Sequence, residues 1–327
     1  MTRIGSSDLS VFPLSLGGNV FGWTADREAS FAVLDAFVAG GGNFVDTADA
    51  YSAWVPGNRG GESETIIGEW LASRRPEGVV VATKVSQHPQ FRGLSGENIR
   101  RAAEASLGRL GVDAIDLYYA HFDDESVPLE ETVAAFGQLV ADGLVRNIAV
   151  SNYSAERIRE WIEIARRTGV PLPVAVQPHY NLVHRNVVEE TIIPVAAEFG
   201  LGLVPYYALA SGFLTGKYRS TDATGQASPR AAGAAKYATE QGLRIVNALE
   251  EIGDAHGASI AATALAWLRA QPTVAAPVAS ARTADQVPDL LLGGRLELAQ
   301  DEIERLRSVS EWVPTPGSDA LHRVYGL

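Results

Sequence analysis

The chain has 327 residues, 46% of them hydrophobic and 20% charged, which supplies a sizeable core and leaves little room for disorder. Twenty-seven Lys plus Arg against 39 Asp plus Glu give a formal net charge of -12 that speaks against a nucleic-acid partner, and zero Cys excludes disulfides, thiolate catalysis and Cys-type zinc sites. No apolar run reaches the ~18 to 20 residues of a membrane span, no signal-peptide pattern follows Met1, and the six His show no ligand spacing, so a cytoplasmic protein with no metal and no membrane partner is expected.

The opening segment, Arg3 to Val11, alternates weakly about Ser6-Ser7-Asp8 and predicts a hairpin. After it, short apolar runs alternate with amphipathic stretches. Strands are expected at 13–17, 43–46, 79–84, 115–120, 145–150, 173–177, 202–206 and 274–279. Helices are expected near 27–39, 62–73, 97–109, 126–142, 154–168, 186–199, 259–270 and 283–292. Eight strands interleaved with helices predict an α/β fold, a closed (β/α)8 TIM barrel forming one domain over 1–327, with the hairpin capping its lower end. Two stretches without barrel periodicity, 52–61 and 211–238, are expected as extended loops over a ligand at the C-terminal face.

Strand ends are where a barrel carries its chemistry, and here they are polar: Gly17-Gly18-Asn19, Asp46, Lys84, His121, Ser151-Asn152, Gln177, Tyr206 and Ser280-Ala281-Arg282. Singly, each has an ordinary structural reading. Lys84 can snorkel, His121 can be a hydrogen-bonded core imidazole, Asp46 can cap a turn, and Tyr51 can be a surface aromatic. Together, Asp46, Tyr51, Lys84 and His121 make a proton-donating set. Lys84 would lower the phenol's pKa from its reference near ~10, Asp46 would keep Lys84 charged and oriented, and His121 would bond the substrate oxygen. Such a site protonates a carbonyl oxygen as hydride reaches carbon, and hydride requires a cofactor. The G-x-G-x-x-G fingerprint is absent. Ser211 to Tyr218 departs from the phosphate-loop motif in its glycine spacing and in Tyr218; it is either a lid bearing Lys217 or a plain loop, and Arg282 is either a phosphate ligand or a surface cation. Phe21, Trp23, Trp54 and Tyr207 either form an aromatic mouth for an apolar or sugar-like carbonyl or pack against loops.

These segments resemble the aldo-keto reductases over nearly the whole chain. Gly42-Asn43-Phe44-Val45-Asp46-Thr47-Ala48-Asp49-Ala50-Tyr51 is similar to that family's first signature, followed by Gly61-Glu62-Ser63-Glu64-Thr65-Ile66-Ile67-Gly68. Lys84, Asp116 to His121, Val150 to Tyr153, Gln177 to Leu182 and Gly212 to Tyr218 extend the similarity. The resemblance implies a catalytic tetrad of Asp46, Tyr51, Lys84 and His121, with Tyr51 the general acid, and NADPH as cofactor. It implies that Ser151, Asn152 and Gln177 hold the carboxamide and Tyr206 stacks on the nicotinamide. Gly212 and Lys217 would close on the pyrophosphate, and Arg282 and Gln286 would meet the 2′-phosphate and adenine. Gly18, Asn19, Asp46, Leu209 and Ser280 would complete the cofactor contacts. Tyr206-Tyr207-Ala208-Leu209 and Val278-Ala279-Ser280-Ala281 depart from the common Tyr-Ser-Pro-Leu and Ile-Pro-Gly-Ala. A nucleotide-sensing regulatory subunit on the same fold and a Schiff-base aldolase using Lys84 are the competing functions; oligomeric state is not legible in the sequence.

Overall fold

In the computed structural model, which describes residues 1–220 and 231–311, eight strands form one parallel sheet. They are Ser15–Gly17 (β1), Phe44–Asp46 (β2), Val80–Val85 (β3), Leu117–Ala120 (β4), Ile148–Ser151 (β5), Ala175–Gln177 (β6), Gly202–Leu203 (β7) and Val278–Ala279 (β8). The pairing order is β7-β6-β5-β4-β3-β2-β1-β8. The N–H of Leu203 donates to the Thr273 carbonyl, that of Ala275 to the Leu203 carbonyl and that of Val278 to the Pro205 carbonyl, each at 2.8 Å. These bonds join the two ends of the order, so the sheet closes into the expected barrel.

The strands are apolar on both faces because one face lines the barrel and the other meets the helices. Phe44, Ala82, Leu117, Tyr119, Ala149, Ala175, Val204 and Ala276 form an interior cluster, distinct from the larger one under the helices. Strand side chains alternate with period two. The residues two places beyond Phe44, Ala82, Tyr119, Ala149, Ala175 and Val204 are Asp46, Lys84, His121, Ser151, Gln177 and Tyr206. One periodicity thus aims six polar side chains into the same end of the barrel.

The opposite end is closed by the predicted hairpin, Thr2–Arg3 against Ser10–Val11. Ile4 and Val11 are fully buried in the interior cluster. At Gly5, with φ +52°, a Cβ would stand 2.2 Å from the Val174 carbonyl oxygen, so only glycine lets the hairpin sit against the starts of β6 and β7.

Helices Arg27–Ala39 (α1), Glu62–Arg74 (α2), Gly96–Leu110 (α3), Leu129–Ala141 (α4) and Ala155–Thr168 (α5) lie within three residues of expectation at each end. Side-chain caps start two of them, Asp26 accepting from the Ala29 N–H and Ser154 from the Arg157 N–H. The helix expected at 186–199 is instead a π turn, Val188–Ile192, running into Ile193–Phe199 (α6). Pro194 has no N–H, and the Ile193 N–H reaches back five residues to Val188, so the register shifts ahead of the proline. Glu240–His256 (α7) was not foreseen; it and Ile260–Arg269 (α8) both lie between β7 and β8. The helix expected at 283–292 is present as a 3-10 turn, Ala284–Gln286, running into Val287–Gly293 (α9), and Gln300–Val309 (α10) follows it unforeseen. Residues 221–230 of the expected 211–238 loop lie outside the described residues. No described helix is long and apolar enough to cross a membrane.

Candidate active site

β2 and β3 bring Asp46 and Lys84 together from 38 positions apart, both within 1% of complete burial. The three ammonium protons of Lys84 have three acceptors: Asp46 Oδ2 at 2.7 Å, the Thr47 carbonyl at 2.7 Å and the Tyr51 hydroxyl oxygen at 2.9 Å. Asp46 also accepts from Gln177 Nε2 at 2.8 Å and, more weakly, from the Tyr51 hydroxyl at 3.3 Å. Tyr51 reaches this point because its loop is fastened from behind: Ser52 Oγ donates to the Phe21 carbonyl at 2.7 Å, and Asn58 Nδ2 to the Ser52 carbonyl at 2.9 Å. His121 closes β4 in the same pocket, its ring 6.1 Å from that of Tyr51. The four groups expected from sequence are therefore in one place.

Their electrostatics differ from expectation in one respect. Burial first, then the Asp46 carboxylate, pushes the Tyr51 phenol well above its usual pKa, so the lowering expected from Lys84 does not prevail. Burial also draws Lys84 down, against the opposing pull of Asp46. His121 is held well below the usual imidazole value by burial and then by Lys84, and is neutral at ordinary pH. Its Nδ1 is buried without a hydrogen-bond partner. An unpaired acceptor there costs less than an unpaired N–H, which assigns the ring proton to Nε2.

Asp46, Tyr51 and His121 open into a cavity of about 570 Å³ at the barrel rim, with Lys84 buried behind them. On β5 and β6, Ser151 Oγ donates to the Gln177 carbonyl at 2.8 Å, and Asn152 Nδ2 donates to the His121 carbonyl at 2.9 Å. Asn152, in a left-handed backbone with φ 56°, also accepts from the Tyr206 hydroxyl at 2.7 Å, which fixes that ring. Past β7 the wall continues through Leu209, Gly212 and Lys217; past β8 it continues through Ser280, Arg282 and Gln286. Ser280 Oγ donates to Asn19 Oδ1 at 2.7 Å, and Gln286 Oε1 accepts from the Arg282 N–H at 2.8 Å. Amides and hydroxyls beside the tetrad, a held aromatic ring, and two cations farther along the chain's last loops can hold a nicotinamide dinucleotide by carboxamide, ring and phosphates.

Some expected residues lie elsewhere. Gly18 does not line the cavity; a Cβ there would meet Ser63 Oγ at 2.8 Å, so its role is to let the loop pass. Phe21 is fully buried in the core under the helices and cannot touch a substrate. Trp23 stands behind Trp54, edge to face at 5.7 Å, and does not line the cavity. Residues not singled out from sequence do line it, among them Phe122, Asp285 and Asp289. Phe122 follows the last residue of a strand-end motif, and Asp289 stands three places beyond Gln286, the spacing of one helical face. No group of three or more His, Asp or Glu side chains suited to a metal occurs among the described residues.

The model of the Aldo/keto reductase family matches residues 13–311. An uncharacterized oxidoreductase of Bacillus subtilis is 34% identical over 97% of both chains. A protein of Oryza sativa named as a probable voltage-gated potassium channel subunit beta is 34% identical over 87% of this chain and 88% of its own. The norsolorinic acid reductase of Emericella nidulans is 34% identical over 90% of this chain and 77% of its own.

Proposed function

The chain belongs to the aldo/keto reductase family, and on that premise we propose that it reduces an aldehyde or ketone to the alcohol with NADPH, Tyr51 donating the proton. The observation that carries this reading is the three-point hold of Lys84, which binds Asp46 and orients the Tyr51 hydroxyl at the cavity wall. NADPH, when bound, supplies hydride. Ser151, Asn152 and Gln177 would hold its carboxamide, Tyr206 its ring, and Lys217 and Arg282 its phosphates.

A carbonyl oxygen between Tyr51 and His121 accepts from the phenol and from His121 Nε2–H, and both donors polarise it. Because Tyr51 keeps its proton in the buried pocket, it is in the acid form at rest. As negative charge develops on the oxygen, Tyr51 gives up its proton, and the Lys84 ammonium 2.9 Å away stabilises the phenolate left behind. The opposing effects of Asp46 and Lys84 are thus used at different moments: the carboxylate holds the proton before reaction and the ammonium supports its departure.

Purified protein is expected to consume NADPH with a broad panel of neutral carbonyl compounds; no consumption with any of them refutes the reading. A second reading, a nucleotide-sensing regulatory subunit, is favoured by the relative named as a channel subunit. Tight NADPH binding without turnover and co-purification of a membrane partner support it. Schiff-base chemistry at Lys84 is poorly served, since its amine is spent on three acceptors. A single domain and a cytoplasmic location belong to the same proposal.

A further inference from the structure

The run Gly61-Glu62-Ser63-Glu64-Thr65-Ile66-Ile67-Gly68 supplies no group to the proposed reaction, yet it carries a hydroxyl and a carboxylate that are both fully buried, those of Ser63 and Glu64. They lie in the first turn of α2, outside the barrel wall. Thr47, which follows Asp46, and Thr83, which precedes Lys84, are fully buried as well. Neighbouring side chains of a strand point to opposite faces, so Lys84 enters the barrel while Thr83 turns outward to α2.

Both α2 residues hold strand ends. Ser63 Oγ donates to the Gly18 carbonyl at 2.8 Å, which commits its one proton, so Thr47 Oγ1 is the donor in the 2.7 Å bond between the two hydroxyls. The Gly18 N–H in turn donates to the Asp46 carbonyl at 2.7 Å. Glu64 Oε1 accepts from Thr83 Oγ1, and Glu64 Oε2 accepts from Arg109 Nε at 2.6 Å. The glycines of the run admit that arginine: a Cβ on Gly61 would stand 2.4 Å from Arg109 Cδ, and one on Gly68 would stand 2.1 Å from the Arg109 carbonyl oxygen. One helical turn thus fastens the residue after Asp46 and the residue before Lys84. Thr47 is also the residue whose carbonyl accepts from the Lys84 ammonium at 2.7 Å.

Burying the Glu64 carboxylate costs desolvation, and apolar residues of similar volume often replace a buried ion pair without loss of stability. What apolar residues cannot supply is a directed acceptor for the Thr83 hydroxyl. We infer that Ser63 and Glu64 are positioning residues for the reduction, holding Thr47 and Thr83 from behind the barrel wall so that the Lys84 ammonium keeps its distance and direction to the Tyr51 hydroxyl. This rests on the reductase reading and adds a supporting layer to it. Neither residue lines the cavity, so each acts only through the strand ends it holds. If the Thr47 carbonyl shifts, Lys84 loses one of its three acceptors, and misplacing a reacting group by about 1 Å costs up to about 10²-fold in rate.

The test uses Thr83→Val, which keeps the shape and removes the hydroxyl, and Ser63→Ala. The readout is the single-turnover rate of NADPH oxidation with the fastest-reacting compound of the carbonyl panel at saturation. Both variants are expected to lose about 10- to 100-fold in that rate with NADPH affinity within about twofold of the wild type, and Thr83→Ser is expected to recover most of the loss. Val133→Ala, a fully buried position on α4, is the control for stability alone: it should melt lower by a comparable margin and keep its rate within about twofold. Rates unmoved in both variants, lowered no further than in Val133→Ala, or not recovered by Thr83→Ser overturn the proposal. If the wild type reduces no carbonyl, the reductase reading fails by itself, and calorimetry decides the positioning role. Ser63→Ala and Lys84→Met should then lose less stability together than the sum of their separate losses, and additive losses refute it.

Discussion

Replacing Lys84 by Met removes the cation from a site where every neighbour was arranged around it. Asp46, 1% exposed, would keep its bond from Gln177 Nε2 at 2.8 Å and lose its counter-charge. Removing one member of a buried ion pair costs about 3–5 kcal/mol, because the remaining charge is left without compensation. At roughly 2 °C per kcal/mol for a chain of this size, Lys84→Met should melt ~6–10 °C below the wild type. The paired variant, Asp46→Asn with Lys84→Met, removes both charges and should recover at least half of that loss while remaining inactive, since Tyr51 has then lost its oriented partner. Scanning calorimetry of the four proteins of this cycle, with reductase assays alongside, measures the coupling directly. If the double variant were as unstable as the sum of the two single ones, the Lys84–Asp46 contact would not be the stabilising pair described here, and the three-point hold that supports the proposed mechanism would lose its basis.

Other outcomes follow from the same geometry. Tyr51→Phe should lower kcat by about 10²–10⁴-fold with NADPH affinity, read by fluorescence titration, nearly unchanged; retained activity would show that the phenol is not the proton donor. Asp49 is fully buried, neither carboxylate oxygen makes a hydrogen bond of good geometry, and burial with neighbouring Glu64 raises its pKa well above 3.8. The unfolded chain therefore releases this proton at lower pH than the folded one, so stability falls as pH rises from the unfolded value toward the folded one. Asp49→Asn should abolish that fall and be more stable than the wild type by about 1 kcal/mol near neutrality, with the gap narrowing below about pH 4; melting curves across pH that run parallel would contradict this. Arg282→Ala should weaken NADPH binding about tenfold and NADH binding little, and equal losses for both nucleotides would remove the 2′-phosphate assignment.

Much of this architecture was legible as pattern. Runs such as Val79 to Lys84 and Ile115 to His121 are too short and too apolar for surface helices, and their polar last residues marked the functional end of a barrel before any contact was known. The helices at 240–256 and 300–309 escaped because one helix per strand already satisfied the alternation. Pro194 moved a helix start by changing which N–H groups were available, an effect periodicity does not register. Phe21 and Trp54 look alike in sequence, yet one is wholly buried and the other half exposed. Nothing local separates them; the Phe21 ring packs into the core under the helices while Trp54 lines the cavity, a difference of tertiary placement.

By itself the sequence determined the identities of the acid, phenol, amine and imidazole and that the barrel strands would carry polar ends at one face. Only the folded chain decided their partners. Hydrogen bonds reach about 3 Å, and the bonds that Lys84 and Gln177 donate into the tetrad join groups 33 to 131 positions apart, so closure of the barrel had to set the distances. It also decided their charge states. A phenol beside an ammonium reads as acidified, but burial and the second neighbour, Asp46, outweigh that cation, and desolvation is a property of the enclosing protein rather than of any residue within it.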